Sequence, residues 1–434
     1  MKNNFQIIVL TVFVAVLVVG VLMFSGFIGP DIGSSNSDKV TGTAIIWGTL
    51  PQGEVNDVFA KLYAGSDYNI SYVQKSEETY RESLLEAFSS GAGPDLFFVT
   101  DQNVASFESK IIPFTYEQFN QRDFKSTFIT EADLFSGPLG YSAIPVLIDP
   151  IVMYWNKGIF DSTGIADVPK TWEEVKSITP TLTKKTDSGI ISQSAIALSF
   201  MDNVSHKKEL LSLLLLQQGN GVSERSKTGS IKPLFQEENI ELQKSYAEIA
   251  GDTMISFVDP LSPTYTWNRG LNNDLERFTT SQVAMYLGKA SELFKIQEKN
   301  PNLNFDVSFV PQNNLNTRVT YGELHGIALS KFTQNSTVAY QVVFDMISSN
   351  FQTKISSALS LPPVRRDLLS QRPPNPYAGT FFDAALSARG WLDPNDKKTE
   401  QIFKDMFDAM FSNSLNPRSA VSRAASEFSL IGNF

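Results

Sequence analysis

The sequence predicts an α/β protein built on a parallel sheet with helices on both faces. Three observations predict it. Short apolar runs rich in β-formers at 43–49 (TAIIWGT) and 95–99 (DLFFV) read as buried strands, with a further strand at 68–73. Helical spacing separates them, at 54–63 and at 77–88, with short connections, which is the strand–helix–strand order of a parallel sheet. The chain of 434 residues is 42% hydrophobic, with 32 Phe, so it can bury a large core.

The elements follow in order. Residues 7–24 form an uncharged, strongly apolar run of 18 residues, broken only by Thr11 and Gly20. At about 1.5 Å per residue it spans about 27 Å, close to the hydrocarbon thickness of a bilayer. The run exceeds a signal-peptide core and ends in a poor cleavage site, so residues 1–28 are expected to be an uncleaved anchor rather than a signal segment. Lys2 precedes it while Asp31 and Asp38 follow, which leaves the N-terminus in the cytoplasm and the remainder outside the cell membrane. Residues 29–38 are Gly/Ser/Asn-rich and read as a flexible tether.

The helix at 54–63 has Val55, Val58, Phe59 and Leu62 on one face. Ser76 is placed to cap the helix at 77–88, which turns Tyr80, Leu84, Ala87 and Phe88 inward. Thr171 and Glu174 form a T-x-x-E capping box, and Pro180 is expected to end or kink that helix early. The run at 210–216 is too short to cross a membrane and reads as a buried helix. Residues 305–310 and 326–329 read as strand ends, 337–348 as a helix, and the last 40 residues carry aromatic positions at helical spacing. In open parallel sheets, ligands sit beyond the carboxyl ends of the strands. That rule points to Trp47-Gly48-Thr49 and Thr100-Asp101-Gln102 as a candidate site.

Composition excludes several chemistries. A formal charge of −10 argues against nucleic acid as the main partner. The absence of cysteine rules out disulfides, thiolate metal sites, cysteine nucleophiles and a lipid-modified Cys. With only His206 and His325, His-rich zinc sites and Ser-His-Asp triads are hard to build, and no cofactor or metal is expected. No Walker A, H-E-x-x-H or G-x-S-x-G motif is present, so an enzyme is not expected.

Several segments, in order, resemble the extracellular solute-binding proteins of ABC transporters, the large sugar-binding class related to maltose-binding protein. They are Trp47-Gly48 at the end of the first strand, Gly93-Pro94-Asp95-Leu96-Phe97, Gly140 through Pro145, Met153 through Phe160, Thr163-Gly164-Ile165 with Pro169-Lys170-Thr171-Trp172-Glu173-Glu174, Phe278 through Leu287, and Leu361 through Asp367. The resemblance implies a two-lobe, type II periplasmic-binding-protein-like clamshell hinged on crossover strands. It places residues 39–146 and 319–355 in the N-terminal lobe and 147–318 and 356–434 in the C-terminal lobe. It implies a carbohydrate ligand, a partner ABC permease in the membrane and a monomeric ectodomain. A non-sugar solute (peptide, polyamine or glycerol phosphate) and a ligand-free scaffold stay open, because Gly288-Lys289-Ala290 lacks the Trp that many sugar binders carry there.

The candidate ligand residues are Trp47, Thr49, Asp101, Gln102, Asp149, Asn203, Trp267, Gly322, Glu323 and Trp391. Trp47 is a stacking platform or an ordinary core residue. Asp101 matches the acidic residue after the family's third strand, or serves as a helix cap, and Gln102 stands where the maltose-binding branch has Arg. Asp149 is a lone carboxylate in an apolar run, which is costly unless solvated or paired, and it matches a hinge Glu of the family. Trp267 lies in a polar aromatic loop, Asn203 offers an amide to sugar hydroxyls, and Trp391 follows Arg389-Gly390 as a cleft-closing or packing ring. Gly322 and Glu323 fall at the resemblance's second hinge. His325 reads as a satisfied structural histidine.

Overall fold

The computed structural model describes residues 41–433 other than Thr228, Arg372 and Pro374. The expected anchor and tether lie outside the described residues. Among the described residues no helix is long and apolar enough to cross a membrane.

The first strand, Gly42–Gly48, pairs in parallel with Tyr68–Gln74 on one side and Leu96–Thr100 on the other. The connecting helices are Gln52–Leu62, which buries Val55, Val58 and Phe59, and Tyr80–Ser90, which buries Tyr80, Leu84, Ala87 and Phe88. The second helix differs from expectation at its start. Glu77–Thr79 is a single 3-10 turn, and Ser76 makes no side-chain cap bond. Those three polar residues have no core face, so the α-helix begins at the first buried ring, Tyr80. Its hydroxyl donates to the Phe98 carbonyl at 2.7 Å.

Two long strands carry the chain through both halves of the sheet. Ile144–Asn156 and Thr320–Ser330 run antiparallel to one another. On one side Thr320–Ser330 pairs with Leu96–Thr100, and on the other Ile144–Asn156 pairs with Val283–Lys289, which in turn pairs with Ile191–Ile196. Both long strands are buried almost throughout, as continuous apolar strands within a covered sheet must be. The result is two α/β lobes flanking a shared pair of strands.

The helix Ser349–Leu359 packs on Gln52–Leu62, with the Phe59 and Phe351 ring centroids 6.0 Å apart. The short helix Arg366–Leu369 packs on Gln121–Thr127. Around the boundary expected at 355, the buried face of Ser349–Leu359 therefore has its partner in a first-lobe helix. The helices Asp396–Phe411 and Pro417–Ile431 pair with each other and pack on Tyr246–Ser256 in the second lobe.

The Thr171 capping box forms. The Thr171 hydroxyl accepts from the Glu174 amide at 3.2 Å, and Glu174 accepts from the Thr171 amide at 3.3 Å. The helix it opens, Trp172–Leu182, runs two residues past Pro180, since a proline in the last turn forfeits a single intrahelical bond. Polar contacts join the lobes at their rims. Arg225 forms a forked ion pair with Glu108, and Lys397 meets Glu82 at 2.9 Å.

Candidate functional site

The register of the central strands assembles a charged surface. Glu323 lies directly opposite Asp149, Lys289 opposite Ile151, and His325 opposite Leu147. Side chains alternate along a strand, so Asp149, Lys289, Glu323 and His325 share one face. Two carboxylates directly opposite each other destabilise a sheet unless a cation lies near them. Lys289 supplies that cation through an ion pair with Glu323, in which both side chains are mostly buried.

This face forms the floor of a cavity of about 690 Å³ between the lobes. The first lobe contributes Thr49, Glu54 and Glu77, and the second contributes His206, Glu209, Ser291, Glu292, Lys295 and Glu298. The lining holds seven carboxylates (Glu54, Glu77, Asp149, Glu209, Glu292, Glu298, Glu323) against two lysines, Lys289 and Lys295. Both histidines of the chain are in it.

Each buried group has a traceable state. Burial opposes the charge on Glu323, but Lys289 and His325 outweigh it and hold the pKa at about 2. Burial likewise opposes Lys289, yet Glu323, Glu209 and Asp149 keep it firmly protonated. The His206 ring meets Glu292 at 2.8 Å, and Glu292 also accepts from the Tyr286 hydroxyl at 2.7 Å. Against the burial of both, that pairing raises the His206 pKa and lowers that of Glu292 to about 2. Glu209 is held down by Lys289, His206 and Lys208 in spite of its burial. Asp149 is different: burial dominates and raises its pKa. Its Oδ1 accepts from the Ser291 amide at 3.1 Å. Gly288 lets the Tyr286 and Glu292 side chains close over the strand, since a Cβ there would lie 2.6 Å from a Glu292 carboxylate oxygen and 2.4 Å from the Tyr286 ring.

Of the residues singled out in the sequence, the structure brings Thr49, Asp149 and Glu323 to this cavity. Gln102 stands behind it, donating to the Tyr321 hydroxyl at 2.8 Å and to Glu209 at 3.3 Å. Asp101 is wholly buried and accepts from the Leu324 amide at 2.9 Å and the Tyr321 hydroxyl at 3.3 Å, which joins the third strand to the hinge. Burial and the nearby Glu323 push its pKa well up. Trp47 is half-buried, and its ring face is covered by the Lys75 ammonium at 3.7 Å. Gly322 packs against Ala388 and Ile148, where a Cβ would lie 2.7 Å from that of Ala388.

Three residues sit in the second-lobe interior. Trp267 is fully buried, and its indole N–H donates to the Asn203 side-chain oxygen at 3.1 Å. The Asn203 amide in turn donates to the carbonyls of Asn268 and Leu271, both at 2.9 Å, so the pair clamps one loop. Trp391 is 2% exposed, donates to the Ser212 hydroxyl at 3.0 Å and packs beside Phe403 and Phe428. The wall residues His206, Glu209 and Glu292 were not among the sequence candidates. They lie on ordinary amphipathic or capping positions, and their only local signal is the scarcity of histidine.

Solved structures with the same fold include an ABC transporter solute-binding protein from Thermotoga lettingae bound with α-D-tagatose. It is 16% identical, with a TM-score of 0.70 over 90% of this chain and 100% of that one. An ABC substrate-binding protein from Listeria monocytogenes in complex with cycloalternan is 14% identical, with a TM-score of 0.69 over 89% of this chain and 98% of its own. Among curated proteins, putative binding proteins of Brucella abortus and Brucella suis are 20% identical over 304 residues, 66% of this chain. The match spans 66% of those relatives' own length, just under two thirds. Residues 49–343 match the family model described as bacterial extracellular solute-binding protein, and the chain belongs to that family.

Proposed function

We propose that the chain is the solute-capturing component of an ABC importer, that its solute is a carbohydrate held in the interlobe cavity, and that hinge closure presents the loaded protein to a membrane permease. The observation that carries this reading is the cavity of about 690 Å³ on a floor of crossover strands, which falls in the size range of small-ligand sites. The sugar-bound proteins of the same fold support the ligand class. Closure would shift an open–closed equilibrium toward the form that contacts ligand from both lobes. Residues 7–24 would anchor the ectodomain to the outer face of the cell membrane as a single span, with no covalent chemistry in the cycle. Thr49, Asp149 and Glu323 are the sequence candidates to which we assign ligand contact. Trp47, Asp101, Gln102 and Gly322 are assigned to the support of that floor, and Asn203, Trp267 and Trp391 to the second-lobe core.

The test is thermal unfolding of the full-length chain in detergent against mono- and oligosaccharides, with peptides, polyamines and glycerol phosphates as comparison. A ligand at about 100 times its dissociation constant adds about 2.7 kcal/mol of stability. A saccharide-selective rise supports the reading. A rise with peptides or glycerol phosphates alone replaces the ligand class, and silence across the panel favours a scaffold without ligand.

A further inference from the structure

The cavity is unbalanced in charge and poor in rings. Its seven carboxylates exceed its lysines by five, and protonation of both histidines would still leave an excess of three. None of the five tryptophans lines it, and Phe294, itself 53% exposed, is its one aromatic residue among those described. Stacking of aromatic faces on a sugar ring is therefore a minor source of affinity here.

The close ion pairs of the cavity are spent on two carboxylates: Lys289 on Glu323 and His206 on Glu292. Asp149 is 97% buried, lines the cavity, and accepts hydrogen bonds from the backbone amide and the side chain of Ser291, both uncharged donors. No Lys, Arg or His forms an ion pair with it or with Glu209 among the described residues, and Glu209 accepts from the Gln102 amide at 3.3 Å and from a backbone amide. Closing a neutral solute over these two groups would strip water from carboxylates that gain no countercharge, which costs free energy. A cationic solute supplies the missing charge and forms charge-assisted hydrogen bonds.

We propose that the solute of this cavity carries a protonated amine that is met by Asp149 and Glu209. On the carbohydrate reading, on which this rests for the rest of the molecule, the solute is an amino-bearing saccharide rather than a neutral one. Lys289 is engaged by Glu323, so the recognition charge falls on Asp149 and Glu209, the two inner carboxylates without a close ion pair of their own among the described residues.

Titration calorimetry of the full-length chain in detergent tests this with a glucosamine disaccharide carrying two free amines, its di-N-acetylated counterpart, maltose and spermidine. The free-amine disaccharide is expected to bind at least about tenfold more tightly than the N-acetylated form, the discrimination that one charge-assisted bond provides. Asp149→Asn should erase most of that preference. Glu209→Gln, at a less buried site, should reduce it as well, with thermal midpoints confirming that both variants fold. Maltose or the N-acetylated disaccharide binding as tightly as the free amine overturns the inference and leaves the carbohydrate reading intact. Spermidine binding without any saccharide supports the charge inference and overturns the carbohydrate reading. Absence of binding by both amines overturns the inference.

Discussion

Replacing Lys289 by Met removes the lysine paired with Glu323, one of two carboxylates that face each other across the central strands. The Lys289 and Glu323 side chains are 13% and 10% exposed, and Glu323 faces Asp149 across the strand pair. Breaking a buried ion pair by deleting one partner costs about 3–5 kcal/mol, chiefly because the remaining charge is left buried and uncompensated. The pair borders a cavity that admits water, so the lower end, about 3 kcal/mol, applies. The pH dependence follows from Glu323. Its folded pKa of about 2 is below the ordinary 4.5, so the stability it contributes is present above 4.5 and lost as pH falls toward 2. Urea unfolding of wild type and Lys289→Met from pH 7 to pH 3 would measure both effects. The deficit of the variant should be largest at pH 7 and shrink on acidification, where the variant's Glu323 takes up a proton before that of the wild type. The double variant Lys289→Met/Glu323→Leu should recover most of the loss. A single-variant cost below about 1 kcal/mol, as at an exposed ion pair, or a double variant no more stable than the single, would refute the reasoning.

Three further outcomes follow. His206 has a folded pKa above its ordinary value, so its contribution is present below the unfolded value of 6.5 and is lost as pH rises through the folded one; His206→Gln should flatten that decline in a thermal scan across neutral pH. Trp391→Ala should destabilise by about 3–5 kcal/mol in urea titration, as a buried ring does, while the protein that remains folded binds solute unchanged. Glu108→Gln breaks the rim ion pair to Arg225, a pair only partly exposed, and should weaken solute affinity by up to about fivefold, read by calorimetry, if that pair helps hold the lobes together. Unchanged affinity would mean that the pair persists when the lobes part.

The local elements were legible because their information is local. The strands at 43–49, 68–73 and 95–99 announced themselves by β-forming apolar runs, and the helix faces at Val55, Val58 and Phe59 or Tyr80, Leu84 and Phe88 by their period. The Thr171 box was readable because its two partners are three residues apart. The exceptions are also local in cause: the 3-10 start at Glu77 and the helix that outlasts Pro180 depend on where burial begins and ends. No local pattern shows that the helix Ser349–Leu359, at the lobe boundary expected near 355, finds its apolar partner about 300 residues earlier in the chain.

The site was only partly legible. Asp149 stood out because a carboxylate inside an apolar run demands an explanation, and Glu323 because it fell at a hinge. Trp267, Asn203 and Trp391 looked equally suited to a ligand, and in the structure their polar atoms satisfy one another or the core. A side chain's type states what it can bond, and the chain's return path determines what it does bond. The α/β elements and the apolar N-terminal run can be read from the chain alone because they depend on neighbours a few residues apart, and the acidic, cysteine-free chemistry because it is a matter of composition. The meeting of residues 149, 289 and 323 on one face of a sheet, and of His206 and Glu209 in the wall of the same cavity, comes from the folded chain. Strand register over separations of more than a hundred residues is set by the packing of the whole sheet, and no local pattern encodes it.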